Sequence, residues 1–189
     1  MPGSPASSVP IIVPLDDLPA GALAQTIPRW AVLNAALTLL SQRVQLTSVQ
    51  LTAGVTYTSI TYVSGSTALG AGVHQLFGIY DDSLGSTSGT ARALLRGTVD
   101  DGAAAWAANT AKTLALTAAY TAARTGTHFV AILVDAGTVP TINGGVGGSN
   151  LVGALSQVSY GVANTGVTAL PNPASVPGGQ NSLAYAYLS

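Results

Sequence analysis

Two neighbouring runs of β-branched and aromatic residues stand out in the first half of the chain. They are RVQLTSVQL (43–51) and VTYTSITYV (55–63), and a turn-like Thr-Ala-Gly separates them. In the second run such residues occupy both faces of the expected strand. Threonine and tyrosine at this density are typical of a pleated, partly buried surface. The pattern therefore predicts two strands joined by a short turn.

Further short apolar runs follow, separated by loops of small residues and glycine. Only 31–40 and 103–109 are candidate helices, and both are short. Many short strands with little helical periodicity predict an all-β protein, a single jelly-roll-like β-sandwich over residues 30–189. The further predicted strands are HQLFGIYD (74–81), ARALLRGTVD (91–100), KTLALT (112–117), THFVAILVDA (127–136) and, with a weaker pattern, LVGALSQVSYGV (151–162) and SLAYAYLS (182–189); the loops are 64–72, 82–89 and the glycine-rich break NGGVGG (143–148).

Residues 1–29 have a different pattern, because six of the ten prolines lie there. Proline lacks an amide donor and fixes φ, so this segment cannot be a central strand or a long helix. It nevertheless carries apolar residues, which a solvated tail would not need. We predict a Pro-rich extended N-terminal arm that docks on a neighbouring surface; the alternative is a disordered leader. The docking residues of this arm are Ile11, Ile12, Val13 and Leu15.

Composition narrows the classes of function. Charged residues are 7% of the chain, against about a quarter in typical soluble domains. The six cations are scattered and form no basic stripe, which argues against a nucleic-acid partner. Cysteine is absent, so disulfides and thiolate metal sites are excluded. The longest apolar stretches (30–40 and 128–134) are too short to span a membrane. A weakly charged surface suggests cover in an assembly, and we expect a homo-oligomer.

Candidate catalytic groups are few. His74 and His128 each stand at the start of a predicted strand, where a structural histidine is the favoured interpretation. The GSTSG stretch (85–89) lacks the spacing of a nucleophile elbow. NGGVGG (143–148) neither follows a clear strand nor opens a helix, as a phosphate-binding loop requires. We therefore expect no enzymatic activity, no catalytic residues and no cofactor.

Three aspartate pairs are the candidate cation ligands: Asp16–Asp17, Asp81–Asp82 and Asp100–Asp101. Calcium binds clustered carboxylates, and the last two pairs end predicted strands, so they would form a site if they converged at one end of the sandwich. Neighbouring aspartates on an extended chain, however, point to opposite faces, and aspartate is an ordinary turn residue. We expect no metal, with a cation at the converging pairs as the alternative.

Three aromatic residues are candidate contacts with a glycan or with another subunit. Trp106 follows Val-Asp-Asp-Gly (99–102), which we expect to end a strand and turn the chain. A tryptophan beside polar loops can stack on a sugar, but a core or interface anchor is the favoured interpretation. Tyr185 and Tyr187 share a face of the last predicted strand, where an edge-strand or subunit contact is the alternative to a glycan.

Four stretches in the middle of the chain carry a resemblance: IPRW (27–30), LTAGVTYTSITYVSGSTALGAGVHQLFGIYD (51–81), LLRGTVDDGAAAWAANTAKTLAL (94–116) and YTAARTGTHFVAILV (120–134). They resemble a domain of small virion proteins, often labelled minor tail proteins, in tailed phages of actinobacteria. The resemblance includes no catalytic signature. It implies a non-enzymatic β-sandwich on the particle exterior, in a symmetric oligomer, with a trimer favoured.

On this basis we expect a tail-associated virion protein that acts through assembly with other virion proteins, with a host-surface glycan as a further candidate partner. The first alternative is a capsid decoration protein that binds and stabilises the head shell. The second is a carbohydrate-binding or hydrolytic module. The expected location is the virion exterior, after synthesis in the host cytoplasm, with no nucleic-acid or membrane partner.

Overall fold

Nearly all of the regular secondary structure in the described part of the chain is β-strand. The computed structural model describes residues 17–82, 92–146, 159–161, 166–174, 179–180 and 182–189. Within these ranges residues Arg29–Ala31 form a 3-10 turn and there is no α-helix, so the predicted all-β class is confirmed. The strands are β1 (Ala24–Gln25), β2 (Leu33–Thr38), β3 (Arg43–Leu51), β4 (Thr56–Val63), β5 (Gly70–Asp81), β6 (Leu94–Gly97), β7 (Ala111–Thr121), β8 (Gly126–Thr138), β9 (Thr141–Val146), β10 (Ser159–Gly161), β11 (Gly179–Gln180), β12 (Ser182–Ala184) and β13 (Ala186–Leu188).

These strands form three antiparallel sheets. The four-stranded sheet has the order β1-β13-β4-β7, and the six-stranded sheet has the order β11-β10-β3-β8-β5-β6. A small third sheet has the order β12-β9-β2. Because β3, β4 and β5 alternate between the two larger sheets, the chain crosses the core at each of these connections, as in a β-sandwich.

The main hydrophobic core is built from both larger sheets. Val130, Ile132 and Val134 of β8 contribute from the six-stranded sheet, and Ile60 and Tyr62 of β4 contribute from the four-stranded sheet. The alternate residues of each strand point inward, as the period of two requires. Full burial of a large apolar side chain stabilises by about 1.5–3 kcal/mol, so this core is a main source of stability.

A second core covers the opposite face of the six-stranded sheet. Phe129, Ala131 and Leu133, the other residues of β8, pack with Ala174 and the partly buried Leu170. Both of the latter belong to the segment 166–174, which lies over this face. Since both faces of β8 are buried, its apolar run is continuous rather than alternating.

The structure corrects both helix predictions. Within 31–40, residues 33–38 form β2, which pairs with β9. Residues 103–109 form turns and irregular structure that carry Trp106. Alanine and leucine favour helix only weakly, and pairing with a neighbouring strand overrides that preference.

The predicted glycine-rich break at 143–148 is also wrong in part, because Thr141–Val146 form β9. At Gly144 the backbone of β12 comes so close that an added Cβ would lie 2.0 Å from the Leu183 carbonyl oxygen. Glycine in a strand often marks such a close approach, and here it permits the pairing rather than ending it.

The remaining strand predictions are confirmed with shifted ends. β5 begins at Gly70, inside the predicted loop 64–72, and β6 is shorter than the predicted strand 91–100. Within 151–162 only 159–161 are described, and 182–189 divides into β12 and β13. Most of the predicted loop 82–89 lies outside the described residues.

Part of the predicted arm is packed against the sandwich. Residues 24 and 25 form β1, which pairs with β13 through Ala24 opposite Leu188 and Gln25 opposite Tyr187. Ile27 is buried beside Leu183. The described chain therefore already belongs to the domain before residue 29. The predicted docking residues Ile11, Ile12, Val13 and Leu15 lie outside the described residues.

Candidate functional site

Trp106 lies in the main core and is only 2% exposed. Its ring packs edge-on against Phe77, with ring centroids 6.0 Å apart. Its indole N–H donates to the Thr110 carbonyl oxygen at 3.1 Å, and the Lys112 ammonium lies 5.9 Å from the ring centroid. Trp106 therefore lies among the residues of the main core, and its ring leaves no exposed face on which a sugar could stack.

The Val-Asp-Asp-Gly stretch (99–102) is a hydrogen-bonded turn. Asp100 Oδ1 accepts backbone N–H groups from Gln75 and Gly102, both at 2.9 Å, and Asp100 Oδ2 lies 2.5 Å from His74 Nδ1. Partial burial raises the pKa of Asp100, but these hydrogen bonds outweigh it and leave the pKa below its ordinary value. Asp101 pairs with Lys112. The carboxylates therefore fasten the turn to β5 and β7.

The two aspartate pairs that were candidates for a shared cation site do not converge. The Asp101 backbone N–H bonds to the Gln75 carbonyl oxygen, in the middle of β5, whereas Asp81 ends the same strand. Six residues of strand separate these points by about 20 Å. Across the described residues, no three acidic or histidine side chains are grouped closely enough to hold a metal ion. Asp16 lies outside those residues.

His128 is a buried histidine at the start of β8, 1% exposed. Its Nδ1 donates to the Gly126 carbonyl oxygen at 3.0 Å, which leaves Nε2 as the acceptor facing the Tyr120 hydroxyl at 3.4 Å. Burial lowers the pKa of His128, the hydrogen bond to Gly126 raises it in part, and the net pKa lies below the ordinary value of a histidine. The folded protein therefore prefers the neutral imidazole.

A pH-dependent stability follows from His128. The unfolded chain takes up the proton first, near the ordinary histidine pKa of about 6.5, so stability is full above that pH and falls as the pH drops toward the lowered pKa of the folded state. In His128→Gln, which keeps a polar side chain without the titration, we expect a smaller fall. Chemical denaturation from pH 7 to pH 5 checks this, and an unchanged slope in the variant would contradict it.

Tyr185 and Tyr187 lie together at the β1–β13 edge of the four-stranded sheet. Their ring centroids are 6.2 Å apart. Tyr187 is half-buried and stands opposite Gln25 in the register of β1 and β13. Tyr185 is only 6% exposed and packs with Ile27 and Leu183. The shared location that the sequence predicted is therefore observed.

The structure adds residues that the sequence analysis did not propose. Trp30 is 82% exposed and directly follows Arg29 in the 3-10 turn. Asp17 Oδ2 accepts the backbone N–H of Arg29 at 2.8 Å and the side-chain amide of Gln25 at 3.0 Å. We call this surface the aromatic patch; its members are Asp17, Gln25, Arg29, Trp30, Tyr185 and Tyr187. The sequence signal for this surface was limited to one tryptophan, which follows proline and arginine and precedes β2.

The aromatic patch contains buried polar atoms without partners. In the part of the chain that the structure describes, neither the Tyr185 hydroxyl nor Gln25 Oε1 has a hydrogen-bond partner. Burial raises the pKa of Tyr185 to about 12, and the positive charge of Arg29 offsets this in part. Such atoms cost free energy unless a ligand bonds to them. The patch thus combines an enclosed donor and an enclosed acceptor, both without a partner among the described residues, with an exposed indole.

Comparisons with family models, with curated proteins and with solved structures find no match to this chain. Among the described residues, no helix has the length and apolar character needed to cross a membrane.

Proposed function

We propose that this protein is a non-enzymatic structural protein of a phage particle, located on the virion exterior and associated with the tail. It acts by assembly with other virion proteins and with copies of itself, in a trimer. The phage assignment rests on the resemblance of the middle of the chain to minor tail proteins. The assembly role rests on the surface described above.

The strand order supports a jelly-roll topology. When β1, β3–β8 and β13 are counted from one to eight along the chain, one sheet has the order 1-8-3-6 and the other 2-7-4-5. This is the order of two Greek keys in a double-sheet jelly roll, an architecture that viral capsid and lectin domains use. Because one fold serves many functions, the site must carry the functional argument.

The observation that carries the assembly role is the exposure of Trp30 beside the start of the described chain. Large aromatic residues in that position are typical anchors of protein interfaces. Asp17, the first described residue, is fixed to Arg29 and Gln25, so the described chain begins at the aromatic patch. An arm and an exposed indole at one place suit a docking role.

Two other functions remain as alternatives within this proposal. A capsid decoration protein would use the same arm to bind the head shell. A carbohydrate-binding module would use the aromatic patch, with Trp30, Tyr185 and Tyr187 as the contacts instead of Trp106. The first alternative differs from a tail protein in location and in copy number.

Gold labelling of intact particles tests the proposal. A short tag inserted after Gly54 would lie in the solvent-exposed turn between β3 and β4. We expect gold on the tail in negative-stain micrographs. Gold over the head would indicate the decoration protein, and purified particles without the protein would overturn the virion assignment. A chain lacking residues 1–16 that incorporates at normal occupancy would contradict the docking role of the arm.

A further inference from the structure

We infer that the aromatic patch binds the Pro-rich segment 10–15 (PIIVPL) of a second copy of this chain. The inference rests on the proposed role in assembly and names the partner of the patch. It assigns the contact to an arm of one copy and a surface of the next.

The patch has the chemistry of a groove for extended proline-rich peptides. Such peptides adopt a polyproline II conformation whose carbonyl groups are free, and domains that bind them present tryptophan and tyrosine side chains. Trp30 is exposed, and the buried Tyr185 hydroxyl has no partner among the described residues. A peptide carbonyl that reached this enclosed hydroxyl would supply the missing hydrogen-bond partner.

The segment has matching properties. Residues 1–15 contain Pro2, Pro5, Pro10 and Pro14 and no charged side chain, so binding would desolvate no ionised side chain of the segment. Ile11, Ile12, Val13 and Leu15 supply apolar area for the indole face. Covering this apolar run would remove apolar surface from water, which is favourable in free energy.

A second copy as the source of the segment follows from the proposed role in assembly. In the single chain 82% of Trp30 is accessible. Sixteen residues in polyproline II conformation reach about 50 Å. The radius of gyration of a domain of this size is about 16 Å, so the arm can reach a neighbour. The contact joins different surfaces of two copies, and a closed ring such as the proposed trimer satisfies every arm and every patch.

Complementation between two full-length variants tests this directly. Trp30→Ala keeps the arm and damages the patch, whereas Ile12→Asp keeps the patch and damages the arm. By sedimentation velocity we expect the wild-type chain to associate with rising concentration, and each variant alone to associate at least about tenfold more weakly. An equimolar mixture of the two variants should form a dimer and stop there, because one intact arm meets one intact patch.

Val99→Asp is the matched control. Val99 is an exposed apolar residue next to the bridge between Thr98 and β7, at the edge of the four-stranded sheet opposite β1. This variant should associate like the wild-type chain. Tryptophan emission gives a second measurement, since association should shift the emission of Trp30 to shorter wavelength while the buried Trp106 contributes a constant signal.

Three outcomes would overturn the inference. They are a monomeric wild-type chain at every concentration, association of Ile12→Asp equal to that of the wild type, and a monomeric chain that binds soluble glycans through Trp30. All of these are measured on purified protein without particles. Failure of the gold-labelling experiment would therefore leave a positive complementation result standing, and the reverse also holds.

Discussion

Replacing Gly144 with alanine is expected to lower the free energy of unfolding by about 3 kcal/mol, the upper end of the usual cost of overpacking. The new methyl group would lie 2.0 Å from the Leu183 carbonyl oxygen, a backbone atom that cannot rotate away. β12 would have to move by about 1.5 Å to restore an ordinary contact. Since β12 leads through Tyr185 into β13, the displacement would reach the four-stranded sheet as well.

Gly145→Ala is the matched control for this prediction. It changes the next residue of the same strand in the same way, but its Cβ would lie 3.2 Å from the flexible end of Ile27. We expect a loss below about 1 kcal/mol, because Ile27 can shift and because alanine restricts the unfolded chain. Chemical denaturation of both variants checks the difference, and equal losses would show that the close approach of β12 does not determine stability.

Arg92→Met is expected to destabilise the protein by about 3–5 kcal/mol at neutral pH, the usual cost of breaking a buried ion pair. Arg92 is 1% exposed, and its guanidinium lies 3.0 Å from Asp82 and 5.6 Å from the centre of the Phe129 ring. Its backbone also pairs with Ala174, the residue that ends the described cover over the second core. Methionine fills the space but leaves the Asp82 charge buried without this partner.

A second substitution and a pH series test the cause of that loss. Burial raises the pKa of Asp82, while Arg92 lowers it, so removing Arg92 would raise this pKa further. The loss in Arg92→Met should therefore shrink in acid, where Asp82 takes up a proton. Adding Asp82→Leu should recover much of the stability at neutral pH, because the replaced pair is then apolar. A double variant as unstable as Arg92→Met would show that the guanidinium acts through other contacts.

The strands that the sequence predicted well are those whose pattern is local. Residues 43–51 and 55–63 combine β-branched side chains with an intervening turn, and the structure places β3 and β4 there almost residue for residue. The missed strands depend on partners instead. β2 has the composition of a weak helix and β9 the composition of a loop, and each is a strand because the other lies beside it.

The exposure of the two tryptophans, like the missed strands, could not be predicted from the local sequence. The polar neighbours of Trp106 suggested an exposed ring, but the turn that Asp100 holds folds it into the main core. Trp30 was not a predicted site residue, although a single 3-10 turn leaves it in solvent. Exposure depends on the packing of β1 and β13, which are far apart in sequence. Tyr185 and Tyr187 were expected on one strand; their rings are neighbours, but Tyr185 lies between β12 and β13.

The place of β13 between β1 and β4 sets the order in which the domain can form during synthesis. Residues 186–188 fill an interior position of the four-stranded sheet, and the Ser189 carbonyl oxygen accepts the backbone N–H groups of Thr58 and Ser59. While these residues are still inside the ribosome, the sheet has a gap and the core has an open side. The four-stranded sheet can therefore be completed only after residues 186–188 have emerged, and its contacts are among the most distant in sequence, which slows folding.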